Sequence, residues 1–331
     1  MRKNLNLFGY TSSYEESELI LLSVPWSATA SFGGGTDKGP EMIAQASSQM
    51  DFFSIEAEDV RDQGICLLSS PDFLKTLNKQ TRDKALPIIQ LEEAAPGNFP
   101  KSLLEEINRT CHQMVKWVYE EIKKIHKSGK KFGLVGGDHS TSEGVIQYFS
   151  ELYQGDFGIL HIDAHADLRN SYQGFQHSHA SVMYNVMNQP YPPASLVQLG
   201  VRDYCEEEYL FIKENKNIHT FFDSKIKAAL FEGKTWKSFV ESLIPLLPEN
   251  IYISLDVDGL EPHLFPHTGT PVPGGLSFAQ TEYLLNKLSQ SHCQIIGFDL
   301  VEVAAPNEDK NIWDAQTGAR LLYKLCQIIL K

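Results

Sequence analysis

Phe157-Gly-Ile-Leu-His-Ile162 runs without interruption into Asp163-Ala-His165-Ala-Asp167. The first six residues are apolar and β-rich, and their apolar character does not alternate. Strands covered on both faces have that pattern, which belongs to parallel sheets with helices on either side. Ile251-Tyr-Ile-Ser-Leu255 leads in the same way into Asp256-Val-Asp258, and Phe132–Val135 into Gly136-Gly137-Asp138-His139-Ser140. On extended backbone, residues two apart share a face. Asp163, His165 and Asp167 can therefore converge from one strand end, and Asp256 and Asp258 from another. In an open parallel sheet, ligands bind beyond the carboxyl ends of the strands, which is where all three polar segments fall.

Outward from this core, further strands are expected at Leu19–Val24, Leu196–Leu199, Ile218–Phe222 and Gln294–Phe298. Helices are expected at Pro40–Ser48, Leu103–Lys127, Ser142–Leu152, Ala180–Met187, Glu206–Glu214, Lys234–Leu246, Phe278–Ser289 and Trp313–Leu330. This alternation predicts a three-layer α/β/α fold with a central, mostly parallel sheet, in a single domain over 1–331. The stretch 69–100 stands apart. It is polar and proline-bearing, with a helical candidate only near Asp72–Leu77, and reads as a surface excursion or partial lid.

The 331 residues carry 29 Lys and Arg against 42 Asp and Glu, a net charge of −13. That balance argues against nucleic acid or an anionic membrane as partner and is compatible with a cationic substrate. No apolar run is long enough for a membrane span, and the start has no signal-peptide h-region. Five scattered cysteines without a Cys-x-x-Cys pair fit reduced thiols in a cytoplasm.

Four carboxylates drawn together in a dry cleft need cations to stay ionised. His139, Asp163, His165, Asp167, Asp256 and Asp258 supply two imidazoles and four carboxylates, a donor set for two divalent ions. Its oxygen-rich character with imidazole favours Mn²⁺, with Ni²⁺ or Zn²⁺ also compatible. In Gln176-His177-Ser178-His179-Ala180, one histidine can relay protons. Glu302 ends the apolar run Ile296–Val301 and can pair with a cationic group. His263 and His267 lie in the Pro/Gly-rich loop 262–275 and read as loop residues.

These segments resemble the ureohydrolase superfamily of arginases, agmatinases, formiminoglutamases and guanidinobutyrases, over residues 17–328. The resemblance rests on Gly-Gly-Asp-His-Ser at 136–140, Asp-Ala-His-Ala-Asp at 163–167 and Ser-Leu-Asp-Val-Asp-Gly-Leu-Glu-Pro at 254–262. Matches at 269–275, 297–303 and 33–40 support it. It implies one Mn²⁺ on His139, Asp163, Asp167 and Asp256, and a second on Asp163, His165, Asp256 and Asp258. It further implies that Asp167 handles the proton of the attacking water and that His179, rather than His177, shuttles protons. Glu302 would hold the guanidinium and Thr270 would orient it. Arg169 has two readings, a contact to a substrate carboxylate or a structural and subunit contact. Trp26 and Phe32 would border the specificity pocket. The Ser-His-Ala context of His179 looks most like agmatinases, which implies hydrolysis of agmatine to putrescine and urea by a homo-oligomer, trimer or hexamer. Alternatives are guanidinobutyrate, guanidine, formiminoglutamate or arginine as substrate, or a catalytically silent scaffold.

Overall fold

Every apolar run named above forms a strand in the computed structural model, which describes residues 4–55, 58–94, 100–304 and 312–331. The described strands are β1 (Asn4–Leu5), β2 (Leu19–Val24), β3 (Ile65–Leu68), β4 (Lys131–Gly136), β5 (Gly158–Ile162), β6 (Ser195–Leu199), β7 (Ile218–Phe221), β8 (Asn250–Asp256) and β9 (Gln294–Val301). They build one sheet in the order β1-β3-β2-β4-β9-β8-β5-β6-β7. All neighbours pair in parallel except β1, which runs antiparallel at the edge beside β3.

Neighbouring residues on one strand enter opposite cores. Leu19 and Leu21 face a cluster with Ile43, Ile226, Leu284 and Leu322, whereas Ile20 and Leu22 face one with Val115, Val145 and Met183. The first layer contains α1 (Gly39–Ser47), α7 (Asp223–Phe231), α8 (Trp236–Leu243), α9 (Phe278–Leu288) and α10 (Trp313–Leu330). The second contains α2 (Asp72–Ala94), α3 (Lys101–Lys127), α4 (Glu143–Tyr153), α5 (Val182–Met187) and α6 (Glu206–Glu214). Two apolar faces per strand explain the non-alternating runs, and the three-layer expectation holds. No helix among the described residues is long and apolar enough to cross a membrane.

The segment 69–100 is corrected. Instead of a short helix in a polar excursion, the 23-residue α2 fills Asp72–Ala94 and continues through Pro87; 95–99 lie outside the described residues. Its inward stripe reads Leu74, Asn78, Thr81, Ala85, Ile88 and Ile89, all buried, at helical spacing. Two polar residues in the middle of that stripe hid it. Asn78 is polar because its Oδ1 accepts the Ser27 amide at 2.8 Å. β1, β3 and α7 were also not anticipated; β1 is a two-residue edge strand and β3 a four-residue strand beside it. The last two strands of the chain, β8 and β9, slot between β4 and β5, so four central strands end side by side where the polar segments begin.

Candidate metal centre and substrate cleft

His139 follows β4, Asp163 follows β5, Asp256 ends β8 and Glu302 follows β9. Residues distant in sequence are thus brought together by strand order alone. Gly137 permits the close approach that the β4 end needs, because a Cβ there would lie 2.0 Å from the Trp26 carbonyl oxygen. Asp167 (φ 54°) and Glu302 (φ 66°) both take left-handed backbone, uncommon for residues other than glycine. In Glu302 that geometry is held by its amide donating to Gly137 O at 2.8 Å and its carbonyl accepting from Thr268 Oγ1 at 2.9 Å.

His139 Nδ1 lies 3.0 Å from Asp163 Oδ2, 3.0 Å from Asp167 Oδ2 and 3.3 Å from Asp256 Oδ2. On the other side of the ring, Nε2 is 2.9 Å from Ser254 Oγ, and that hydroxyl is 3.0 Å from Asp299 Oδ2. A serine has one proton, and the Asp299 carboxylate takes it. Ser254 therefore accepts from His139 Nε2–H, leaving the Nδ1 lone pair aimed at three carboxylate oxygens. That buried nitrogen has no aligned hydrogen-bond partner. Lone pairs converging on one point need a cation there. Separations near 3 Å are the edge lengths of an octahedron with bonds of about 2.1 Å to a hard divalent ion, so the residues fit a metal.

The second group is Asp163, His165 and Asp258, whose donor atoms lie within 4.8 Å of one another. His165 Nδ1 is 3.0 Å from Asp258 Oδ2 and 3.5 Å from Asp163 Oδ1. Asp163 belongs to both groups. Asp256 stands beside the first through its 3.3 Å approach to His139, and its other oxygen accepts the Asp258 amide at 2.8 Å. The electrostatics fit a cation among these groups. Burial, reinforced by Asp258 and Asp163, pushes the Asp256 carboxyl well above the usual range. Burial disfavours a charged His139, yet the carboxylates of Asp163, Asp167 and Asp256 overcome it and hold the imidazole well above its usual range.

Partners of these residues escaped the sequence reading. His161 Nε2 is 2.8 Å from Asp163 Oδ2. Gln198 Nε2 donates to the Ala166 carbonyl at 2.7 Å and to His161 Nδ1 at 3.1 Å. With Nδ1 accepting, Nε2 carries the proton and donates to Asp163, so His161 positions that carboxylate. His161, Gln198, Ser254 and Asp299 are all buried within strands. Polar residues inside otherwise apolar buried strands must have partners, and that signal would have found them.

A cleft of about 380 Å³ opens over the groups, lined by Phe32, His165, Arg169, Tyr172, His179 and Asp203, with Thr270 on its wall. His179 Nδ1 faces Glu302 Oε1 at 3.7 Å and its Nε2 contacts Ser31 Oγ at 3.1 Å. Burial opposes its charge, but Glu302 raises the imidazole above its usual range. Glu302 Oε1 also accepts the His139 amide at 2.9 Å, while Oε2 has no hydrogen bond among the described residues. Thr270 Oγ1 is 3.3 Å from Asp258 Oδ2. His177 points elsewhere, to Glu143 at 2.9 Å. His263 is exposed, and His267 pairs with Asp314 at 2.8 Å. Arg169 lies 3.6 Å from Glu208 and over the Tyr172 ring, so its charge is already offset. Trp26 is buried in the core and does not line the cleft, contrary to expectation; Phe32 does.

A sequence model of the arginase family matches residues 17–327. The chain belongs to the arginase family. It is an enzyme, a hydrolase of carbon–nitrogen bonds. N(1)-aminopropylagmatine ureohydrolase of Thermus thermophilus is 31% identical over 310 residues, covering 94% of this chain and 89% of that protein. Agmatinase of Halalkalibacterium halodurans is 29% identical, covering 88% and 86%. Among solved structures, agmatine ureohydrolase of Thermoplasma volcanium superposes with a TM-score of 0.73 at 20% identity, covering 99% and 95%. That likeness concerns the fold.

Proposed function

We propose that this arginase-family hydrolase cleaves the guanidino group of a linear alkylamine, agmatine first, giving urea and putrescine. The observation that carries this reading is the convergence of three carboxylate oxygens on His139 Nδ1 within 3.3 Å, beneath a cleft whose free charges are acidic. His139, Asp163, Asp167 and Asp256 would hold one ion, and Asp163, His165, Asp256 and Asp258 the other. Two divalent ions, Mn²⁺ in this reading, supply Lewis acidity and lower the pKa of water. Their four charges balance four aspartates.

Glu302 then balances the guanidinium, with Oε2 available to pair with its N–H groups and fix its plane. Asp167 accepts the proton of the attacking water. His179, whose imidazole Glu302 raises above its usual range, delivers a proton to the departing amine nitrogen. Thr270 orients the substrate from the wall of the cleft. Water adds to the guanidinium carbon and the C–N bond to the alkyl chain breaks. With Arg169 neutralised by Glu208, the rim favours a cationic tail over a carboxylate.

A longer tail is a second reading, favoured by the 31% identity to an aminopropylagmatine ureohydrolase over 94% of this chain. In this account residues 1–331 act as one ureohydrolase domain, in a cytoplasmic homo-oligomer. Urea release by Mn²⁺-loaded protein is the test, on agmatine, N(1)-aminopropylagmatine, guanidinobutyrate, guanidine and arginine, with formamide release from formiminoglutamate. A cationic tail should raise kcat/KM at least tenfold or so over guanidinobutyrate. Equal turnover of guanidinobutyrate removes the rim argument, and product from none of the panel removes the substrate class.

A further inference from the structure

A second cleft, of about 550 Å³, lies at the carboxyl ends of β2 and β3, on the far side of the loop that carries Ser31 and Phe32. Four of its lining residues are cations: Lys38, Lys75, Lys79 and Arg82. Lys75, Lys79 and Arg82 are spaced i, i+4 and i+7 on α2, and so share a helix face. Among the described residues, Lys38, Lys75 and Lys79 form no ion pair. Unpaired cations gathered around one concavity run against the chain's net charge of −13.

Three carboxylates also line the cleft, and two are partly engaged. Asp37 receives Asn78 Nδ2 at 3.5 Å and Glu41 receives Gln45 Nε2 at 3.5 Å; Asp83 is the third. The hydroxyls of Ser27 and Ser69 line the same space and make no hydrogen bond to described residues. Gly33, Gly34 and Gly35 close it from the loop side, all with positive φ, so backbone approaches the space without side chains. The cleft lies beyond the carboxyl ends of β2 and β3, the edge of an open α/β sheet on which ligands bind.

We propose that this cleft binds a small anion bearing a phosphate group, gripped by Lys75, Lys79 and Lys38, and that its occupancy steadies the 27–37 loop. The loop is already tied to α2 on this side. Asn78 accepts the Ser27 amide at 2.8 Å, and the Arg82 guanidinium donates to the Ala30 carbonyl. On its other side the loop places Ser31 against His179 at 3.1 Å and Phe32 in the substrate cleft. Gly33 abuts Gly269, next to Thr270: a Cβ at Gly33 would be 3.1 Å from Gly269 Cα. One loop is therefore a wall of two clefts of opposite preference. A cationic substrate and an anionic ligand do not compete for them.

The test uses the full chain loaded with Mn²⁺ and inorganic phosphate as probe, with chloride at matched ionic strength as control. Calorimetric titration should give saturable phosphate binding that the K75Q/K79Q double variant weakens roughly tenfold or more. Both lysines are exposed, so the variant should melt as the parent does, and its melting curve checks that. Hydrogen exchange of the 27–37 amides should slow with phosphate in the parent and not in the variant. Absence of saturable binding overturns the proposal. So does equal affinity in K75Q/K79Q, which would place the anion elsewhere, for instance at the metal centre. Binding that leaves exchange in 27–37 unchanged overturns the link to the loop. None of these readouts depends on which substrate is turned over.

Discussion

The two halves of the proposed metal centre use the same residue types in different surroundings. On the inner side, His139 is fully enclosed, its Nε2 fixed by the Ser254–Asp299 pair and its Nδ1 aimed at three carboxylates. On the outer side, the His165 side chain is 24% exposed. Among the described residues its Nε2 meets only Asp203 at 3.9 Å, beyond hydrogen-bond range, and that carboxylate is 67% exposed. Low dielectric and fixed partners strengthen every interaction inside, while solvent screens those at the rim. In the proposed reading the inner half would retain an ion, and the outer half would hold one more loosely on the side of the substrate cleft.

The most damaging way to probe this contrast is to remove one of the two residues assigned to both halves. Asp256→Ala should abolish binding of both ions and lower turnover by about three orders of magnitude or more. Elemental analysis after gel filtration reads the first effect and urea release the second. Full stoichiometry in the variant would separate Asp256 from the centre.

Glu302→Gln keeps the shape and removes the charge. Both ions should remain, since Glu302 is outside the ligand set, while kcat/KM for a guanidino substrate falls roughly 100-fold or more. Loss of metal would instead make Glu302 part of the centre, through its bond to the His139 amide.

A paired comparison then tests the asymmetry directly. His139→Asn should leave a protein that loses metal to dilute chelator, whereas His165→Asn should keep one ion per chain under the same treatment. The reverse order of retention would invert the roles assigned to the two halves. A difference of roughly tenfold in chelator midpoint is the scale to look for.

The inner half was more legible in the sequence than its support. Ligand candidates announce themselves, because Asp163, Asp167, Asp256 and Asp258 follow apolar runs and only strand order is needed to unite them. The sheet was legible for the same reason, as strands buried on both faces leave unbroken apolar runs. What escaped were features defined by tertiary partners. α2 read as a short helix in a polar excursion, because Asn78 and Thr81 occupy its inward stripe. β1 is two residues long, and β3 is a four-residue strand at the sheet's margin. His161, Ser254 and Asp299 were absorbed into strands as exceptions, although each is a buried polar residue whose partner the fold supplies. Trp26 was misplaced because an aromatic beside a glycine-rich loop can pack inward as readily as outward.

Those supporting residues give the finest test of the contrast. Ser254→Ala removes the acceptor for His139 Nε2–H and leaves Asp299 with one partner fewer in a dry interior. Partners of metal-bound histidines typically contribute about 10–100-fold to metal affinity, so competition with chelator should show a loss in that range, with turnover restored at high Mn²⁺. Asp203→Asn alters the corresponding partner of His165. At 3.9 Å and largely in solvent, that contact is worth well under 1 kcal/mol or so, and metal affinity should change by less than about threefold. Similar losses in the two variants would mean that the rim carboxylate closes onto His165 once metal is bound, erasing the distinction between the halves. A loss in Ser254→Ala alone would trace the asymmetry to the buried pair beneath His139.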